Sequence, residues 1–215
     1  DFRRGRDGED RLGPERACAQ GWITPQAMQR GIAITLILAA AVGLCSLVLF
    51  AHASQYPFAQ LALWLGLVGV SCGAGAFLYT TRLSRLELGD VMVLIFFGLI
   101  PVNGTYFLLT DHLTLPALLL GLSIGLVVDL LLVINNFRDR DNDARVQKRT
   151  LVVLLGESKT LGLYLLLGLT ALLTLIGVCA ALPATGKTAF MQFLPALADF
   201  TFFPLHWRTW KALKR

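Results

Sequence analysis

The chain has 215 residues, 55% of them hydrophobic and only 15% charged. A soluble domain carries about a quarter charged residues, so this composition excludes disordered, fibrous and disulfide-stapled classes and argues against an ordinary cytosolic enzyme. The net charge of +5 by itself decides nothing about a nucleic-acid partner, because location and not sum sets what a charge meets.

Six hydrophobic segments follow one another at roughly 31–51, 60–81, 91–110, 114–136, 161–182 and 188–206. Most are as long as the roughly 20 residues that cross a bilayer core. The last is the weakest, interrupted by Pro195, Asp199 and Pro204. Backbone polar groups in lipid must be satisfied within the segment, so helices are expected rather than strands. The fold expected is all-α, a polytopic transmembrane helical bundle forming a single membrane domain over 1–215.

The links at 52–59, 111–113 and 183–187 are short, and those at 1–30, 82–90 and 137–160 hold most of the charge. Sorted by alternate links, 18 of the 19 Lys and Arg fall on one side, with Lys187 alone opposite. The positive-inside rule assigns that side to the cytoplasm. The basic balance is therefore read as topology plus a local site, not as a nucleic-acid footprint. Cys18, Cys45, Cys72 and Cys179 share no CxxC spacing and read as small packing residues. Gly66, Gly69, Gly73 and Gly75 read as close helix packing.

Two loops carry the chemistry. The second runs Asn135-Asn136-Phe137-Arg138-Asp139-Arg140-Asp141-Asn142-Asp143, followed by Arg145 and Lys148-Arg149-Thr150. If the preceding helix continues, Asn135, Asp139 and Asp143 stand at i, i+4 and i+8 on one face, and Asp141 points away. Oxygen-only ligands on one stripe suit Mg²⁺, which shares its shell with substrate phosphates. Arg138, Arg145, Lys148 and Arg149 follow closely enough to take the outer phosphate oxygens. Carboxylates emerging together from a membrane helix repel one another, and a cation offsets that repulsion.

The first loop mixes Asp1, Asp7 and Asp10 with Arg3, Arg4, Arg6 and Arg11, but Gly5, Gly8 and Gly13-Pro14 argue against a continuous helix. Alone it reads as a loop. Paired with the second cluster it reads as another Mg²⁺ and diphosphate half-site, with Asp1 and Asp7 as metal ligands and Asp10 and Arg11 on the substrate.

The two loops resemble the paired Asp-rich motifs of the UbiA-type intramembrane prenyltransferase superfamily. Asp1 matches the last Asp of the first motif, and Asp139 with Asp143 matches the second in full. The nearer likeness is to the branch that prenylates 1,4-dihydroxy-2-naphthoate on the way to menaquinone. Asp10 to Pro14, Gly21 to Gln26, Leu88-Gly89-Asp90, Asn135 to Asp139, Lys148 to Leu151 and Leu155-Gly156 carry it. Family members have about nine spans, so a piece with about six, lacking the first and the last ones, is expected. Two departures stand out: Tyr79-Thr80 runs into Thr81-Arg82-Leu83 instead of a Gly- and Pro-containing stretch, and Gln147 replaces the Gly that commonly precedes Lys-Arg-Thr.

The resemblance implies an enzyme of a bacterial inner membrane, with its Asp-rich loops facing the cytoplasm. It would transfer a polyprenyl group from polyprenyl diphosphate to the naphthoate, with decarboxylation. Asp139, Asp143, Lys148 and Arg149 would act on the reacting groups, Mg²⁺ being held by Asp1, Asp7, Asp139 and Asp143. Asn135, Asn136, Arg138 and Asp90 would complete the substrate contacts. Asp90 reads equally as a helix N-terminal acid favoured by the dipole. Asn103, Tyr106 and Asp129 are polar positions within spans, Asp129 without an assigned role, and His52, His112 and His206 have no partner pattern. A 4-hydroxybenzoate or homogentisate acceptor, a transporter and an inactive piece are the alternatives. A transporter would place its key charges near mid-bilayer rather than at the rim.

Overall fold

The computed structural model describes residues 17–53, 56–81, 87–182 and 189–214. Regular structure among the described residues is helical throughout: α1 (Pro25–Ala53), α2 (Phe58–Thr81), α3 (Gly89–Thr110), α4 (Leu115–Arg145), α5 (Leu151–Ala181), α6 (Ala189–Phe200) and α7 (Phe203–Leu213). The first five are long and apolar enough to cross a membrane, as the polytopic all-α reading expects. The sixth expected segment is divided into α6 and α7. Pro195 is carried inside α6, whereas Pro204 opens α7 within its first two positions. There its missing N–H is no loss and its fixed φ is already helical.

The helices fall into two compact units, residues 1–78 and 79–215. In the first, Gly21 takes φ 72° in the turn before α1, and the Thr24 hydroxyl accepts from the amide of Ala27 at 3.2 Å. The Gly-Trp-Ile-Thr-Pro run is thus a turn, a side-chain cap and a helix start. No residue of α1 is buried, and Leu36, Ile37 and Val42 are among its exposed side chains. A helix apolar on every side, with no buried face, has lipid as its natural solvent.

In the second unit, α3 and α4 are joined by a short turn. Asp111 takes φ 63° at the end of α3, and the Thr114 hydroxyl caps α4 through the amide of Ala117. The two helices return antiparallel at backbone contact. A Cβ added at Gly98 would lie 2.7 Å from the Gly125 nitrogen and would strike the Gly121 carbonyl oxygen. The tight glycine packing is therefore here. Gly66, Gly69 and Gly73, expected to pack closely, have open space around them among the described residues. Between Leu94 and Leu99, α3 loosens into a π-helical turn. The Asn103 amide donates to the Leu99 carbonyl at 2.9 Å, satisfying a backbone group at the end of that turn.

α5 begins at Leu151, ten residues before the apolar segment read from the sequence, and the α4–α5 connection is correspondingly short. Thr150 caps it, its hydroxyl accepting from the Val153 amide at 3.2 Å. Gly156 then breaks the helix with φ 70° and ψ 179°, a backbone conformation open to glycine. The Leu155-Gly156 pair therefore marks a kink between a rim turn and the spanning helix. α4 and α5 make the most extensive helix contact, around Leu130, Val133, Val152 and Tyr164, with Trp210 and Leu213 of α7 packed against them.

His206 anchors α7. It is 2% exposed, its ring stacks on Tyr164 with centroids 4.4 Å apart, and Gly168 leaves the space it fills. Neither ring nitrogen has a hydrogen-bond partner among the described residues. Burial pushes the imidazole below its ordinary value, only partly opposed by the nearby Leu165 carbonyl. The folded state therefore favours neutral His206. Its stabilisation is complete above the unfolded value of about 6.5 and falls as pH drops below it. The protection factors of the α7 amides, which correct for the intrinsic pH dependence of exchange, are expected to be lower at pH 5.5 than at pH 7.5. His206→Phe, which keeps the ring and removes the titration, is expected to abolish that difference.

Candidate active site

α4 does not stop where its apolar stretch ends at the Asn135-Asn136 pair but continues to Arg145. Asn135, Asp139 and Asp143 are thereby held on consecutive turns of one rigid rod. The face is partly buried: the Asp139 side chain is 14% exposed and that of Asp143 8%, whereas Asp141 stands out at 85%. The outward direction expected for Asp141 is borne out. Asn136 is also buried, one heptad before Asp143 and one after the buried Asp129.

Each inward carboxylate meets a cation. Arg138 donates through Nε and Nη2 to both oxygens of Asp139, at 2.8 and 3.0 Å. Lys148 Nζ donates to Asp143 Oδ2 at 2.8 Å. Arg140 lies over the Phe137 ring and reaches Asp141 at 3.1 Å and Glu157 at 3.2 Å. Its role is to tie α4 to α5 at the rim. Arg145 lies in the last turn of α4, where a cation complements the helix dipole.

The loop that delivers Lys148 is built by backbone geometry. The Lys148 amide donates to the Asp143 carbonyl at 2.8 Å, and Gln147 takes φ 53°. This is the left-handed position that ends a helix and that glycine adopts without strain. The departure noted at Gln147 is thus a non-glycine residue at a glycine position. Gln147→Gly is expected to raise stability by about 0.5–1 kcal/mol, the relief of left-handed strain less the extra entropy glycine loses on folding. A thermal melt of the detergent-solubilised full-length protein checks it.

Arg149 turns the other way and pairs with Glu87 at 3.0 Å. Glu87 itself takes φ 61° just before α3. The pair links the α4–α5 loop to the start of α3, a connection the sequence reading did not contain. Asp90 lies one residue into α3 and is half-buried, its Oδ1 without a hydrogen-bond partner among the described residues. Asp1, Asp7, Asp10 and Arg11 lie outside the described residues.

Hard oxygen donors on one face, both carboxylates already drawing positive charge, fit a divalent cation with phosphate. They fit it as half of a centre. Among the described residues, no three His, Cys, Asp or Glu side chains converge. A divalent cation held here would take its remaining ligands from elsewhere in the chain or from a substrate phosphate.

The sequence profile of the UbiA prenyltransferase family matches residues 3–214. The chain belongs to this family. It is similar to proteins named 1,4-dihydroxy-2-naphthoate octaprenyltransferase in three bacteria. The Escherichia coli protein is 39% identical over 158 residues, 72% of this chain and 49% of the relative. That of Haemophilus influenzae is 32% identical over 207 residues, 94% and 66% of the two chains. That of Mycobacterium tuberculosis is 34% identical over 177 residues, 80% and 56% of the two. The chain thus spans about half to two thirds of the length of these curated relatives. No solved structure matches it significantly.

Proposed function

We propose that the full protein containing this UbiA-family chain transfers a polyprenyl group from polyprenyl diphosphate to 1,4-dihydroxy-2-naphthoate, giving the prenylated naphthoquinol (demethylmenaquinol), diphosphate and carbon dioxide. The observation that carries the reading is the continuation of α4 beyond its apolar stretch, with Asp139 and Asp143 inward and each held within 3 Å of a cationic side chain. The names of its bacterial relatives support the choice of acceptor.

In this reading Asp139 and Asp143, assisted by Asn135, hold Mg²⁺, which when bound neutralises the diphosphate as a leaving group. Arg138, Lys148 and Arg149 take the outer phosphate oxygens, Lys148 exchanging its contact with Asp143 for one with phosphate. In the first cluster, Asp1 and Asp7 would supply the complementary metal ligands, and Asp10 and Arg11 further contacts to the substrate. The allylic C–O bond breaks with its electron pair leaving on the diphosphate, and the allylic carbon bonds to the electron-rich ring. The ring–carboxyl bond breaks, carbon dioxide departs and that electron pair stays on the ring. Asn136 and Asp90 contact substrate on the membrane side, while the apolar helices exclude water from the cation and shelter the prenyl tail. The Asp-rich loops face the cytoplasm of a bacterial inner membrane, the side on which 18 of the 19 basic residues fall.

The test uses membranes bearing the full-length protein, polyprenyl diphosphate, Mg²⁺ and either dihydroxynaphthoate or 4-hydroxybenzoate. Prenylated naphthoquinol with released carbon dioxide is expected, and chelation of divalent metal is expected to stop it. Product from 4-hydroxybenzoate alone would overturn the choice of acceptor.

A further inference from the structure

The α3–α4 crossing brings together two acidic residues that the diphosphate chemistry does not use. Gly98 packs on Gly121 and Gly125, and Gly125 in turn packs on Leu94. In an antiparallel pair, four residues back along α3 corresponds to four residues forward along α4. The next step of that ladder pairs Asp90 with Asp129. The π-helical turn between Leu94 and Leu99 assists this register. A helix of 3.6 residues per turn drifts by about 40° over each four-residue step, and the wider turn reduces the drift, keeping positions 90, 94 and 98 toward α4. The two carboxyls lie within range of each other's charge.

Asp129 is 95% buried, being 5% exposed, and its Oδ1 has no hydrogen-bond partner among the described residues. Asp90 Oδ1 is buried and unpartnered as well, although the residue as a whole keeps some exposure. Two buried carboxyl oxygens on packed helices, neither with a hydrogen-bond partner among the described residues, are costly unless a donor arrives. The group that suits them carries O–H donors and no negative charge at that end.

We propose that Asp90 and Asp129 together form the hydroxyl-recognition end of the acceptor site, accepting a hydrogen bond from the phenolic O–H of a dihydroxylated aromatic ring that lies farther from the ring's carboxylate. This rests on the aromatic-acceptor reading above and extends it to Asp129 and to an orientation. The acceptor's own carboxylate is repelled by the pair and points toward the basic rim of Arg138, Lys148 and Arg149. Asp129 precedes Asp139 by ten residues of one continuous helix, about 15 Å at 1.5 Å per residue. A diphosphate at one end of that interval and a hydroxylated ring at the other place the allylic carbon between them.

Fluorescence titration of the full-length protein in detergent tests this without catalysis. The probes are 1,4-dihydroxy-2-naphthoate and its 1,4-dimethoxy analogue, which has the same ring and carboxylate but no donors. The wild type is expected to bind the dihydroxy compound at least about tenfold more tightly, the effect of a hydrogen bond to a charged acceptor. Asp129→Leu is expected to erase that preference, and Asp129→Asn, which keeps a carbonyl acceptor, to retain part of it. Equal binding of the two probes by the wild type would overturn the proposal, as would a preference that survives Asp129→Leu. In the prenylation assay, Asp129→Asn should raise KM for the acceptor and leave KM for polyprenyl diphosphate unchanged, and an equal rise in both would also overturn it. A wild type that discriminates the probes yet forms no prenylated product would refute the transferase reading while supporting the hydroxyl site.

Discussion

Asp143→Ala in the full-length protein is expected to lower kcat/KM for polyprenyl diphosphate by at least about 10³-fold, roughly 4 kcal/mol of transition-state stabilisation. The size follows from position. The Asp143 side chain is 8% exposed and its carboxylate is held by Lys148 Nζ at 2.8 Å, so its charge acts in a poorly screened place. In the proposed mechanism its removal would delete a metal ligand and release the lysine that meets the leaving group. Stability should change far less, because Lys148 is 28% exposed and reaches water once its partner is gone. Lys148→Met reverses the asymmetry by leaving a nearly buried carboxylate unpaired, and is expected to depress the melting temperature more than Asp143→Ala does. Asp141→Ala is the internal control, since that side chain is 85% exposed and its loss should alter the rate by no more than about twofold. Prenylation rates and melts of the three variants check the set. An active Asp143→Ala protein, or an equally inactive Asp141→Ala protein, would refute the assignment of the inward face.

Much of this face is legible from spacing alone. Asn135, Asp139 and Asp143 recur every fourth residue, so a helix that continues places them together, and Asp141 falls outside by the same arithmetic. Spacing does not reveal what each carboxylate touches. Lys148 reaches Asp143 because Gln147 enters the left-handed region, and Glu87 meets Arg149 from a separate loop. The early start of α5 is hidden for another reason: Glu157 and Lys159 interrupt the hydropathy that marks a span, and the turn before Gly156 lies ahead of them. The division of the sixth segment turns on which proline breaks the helix. Pro195 is the more conspicuous interruption, yet α6 carries it, and the new start falls at Pro204. His206 has no sequence partner because stacking on Tyr164 and the gap at Gly168 are tertiary facts. Asp129 stands out in the sequence as a polar position within a span. Its relation to Asp90 emerges from the α3–α4 register, which depends on the backbone contact at three glycines.

That register gives the largest expected effect on folding. Gly98→Ala adds one methyl group where the nearest atoms are backbone: the Gly121 carbonyl oxygen, the Gly125 Cα at 2.5 Å and the Gly125 nitrogen at 2.7 Å. A flexible side chain would yield at small cost, but a helix backbone moves only as a unit, so α3 and α4 must separate along the crossing. Overpacking of side chains costs about 1–3 kcal/mol, and a backbone collision belongs at or above the top of that range. Gly104→Ala, about one and a half helix turns further on, meets open space among the described residues. It is expected to be neutral or stabilising by up to about 1 kcal/mol through helix propensity. The contrast isolates the crossing from the general effect of putting alanine in a helix. Parting α3 from α4 should also pull Asp90 away from Asp129. Any Gly98→Ala protein that still folds is therefore expected to lose its preference for the dihydroxy over the dimethoxy naphthoate, as Asp129→Leu does. The double variant Gly98→Ala with Asp129→Leu should then show no further loss of that preference, since both changes act on one contact. Additive losses in binding would mean that the glycine crossing and the carboxyl pair act separately.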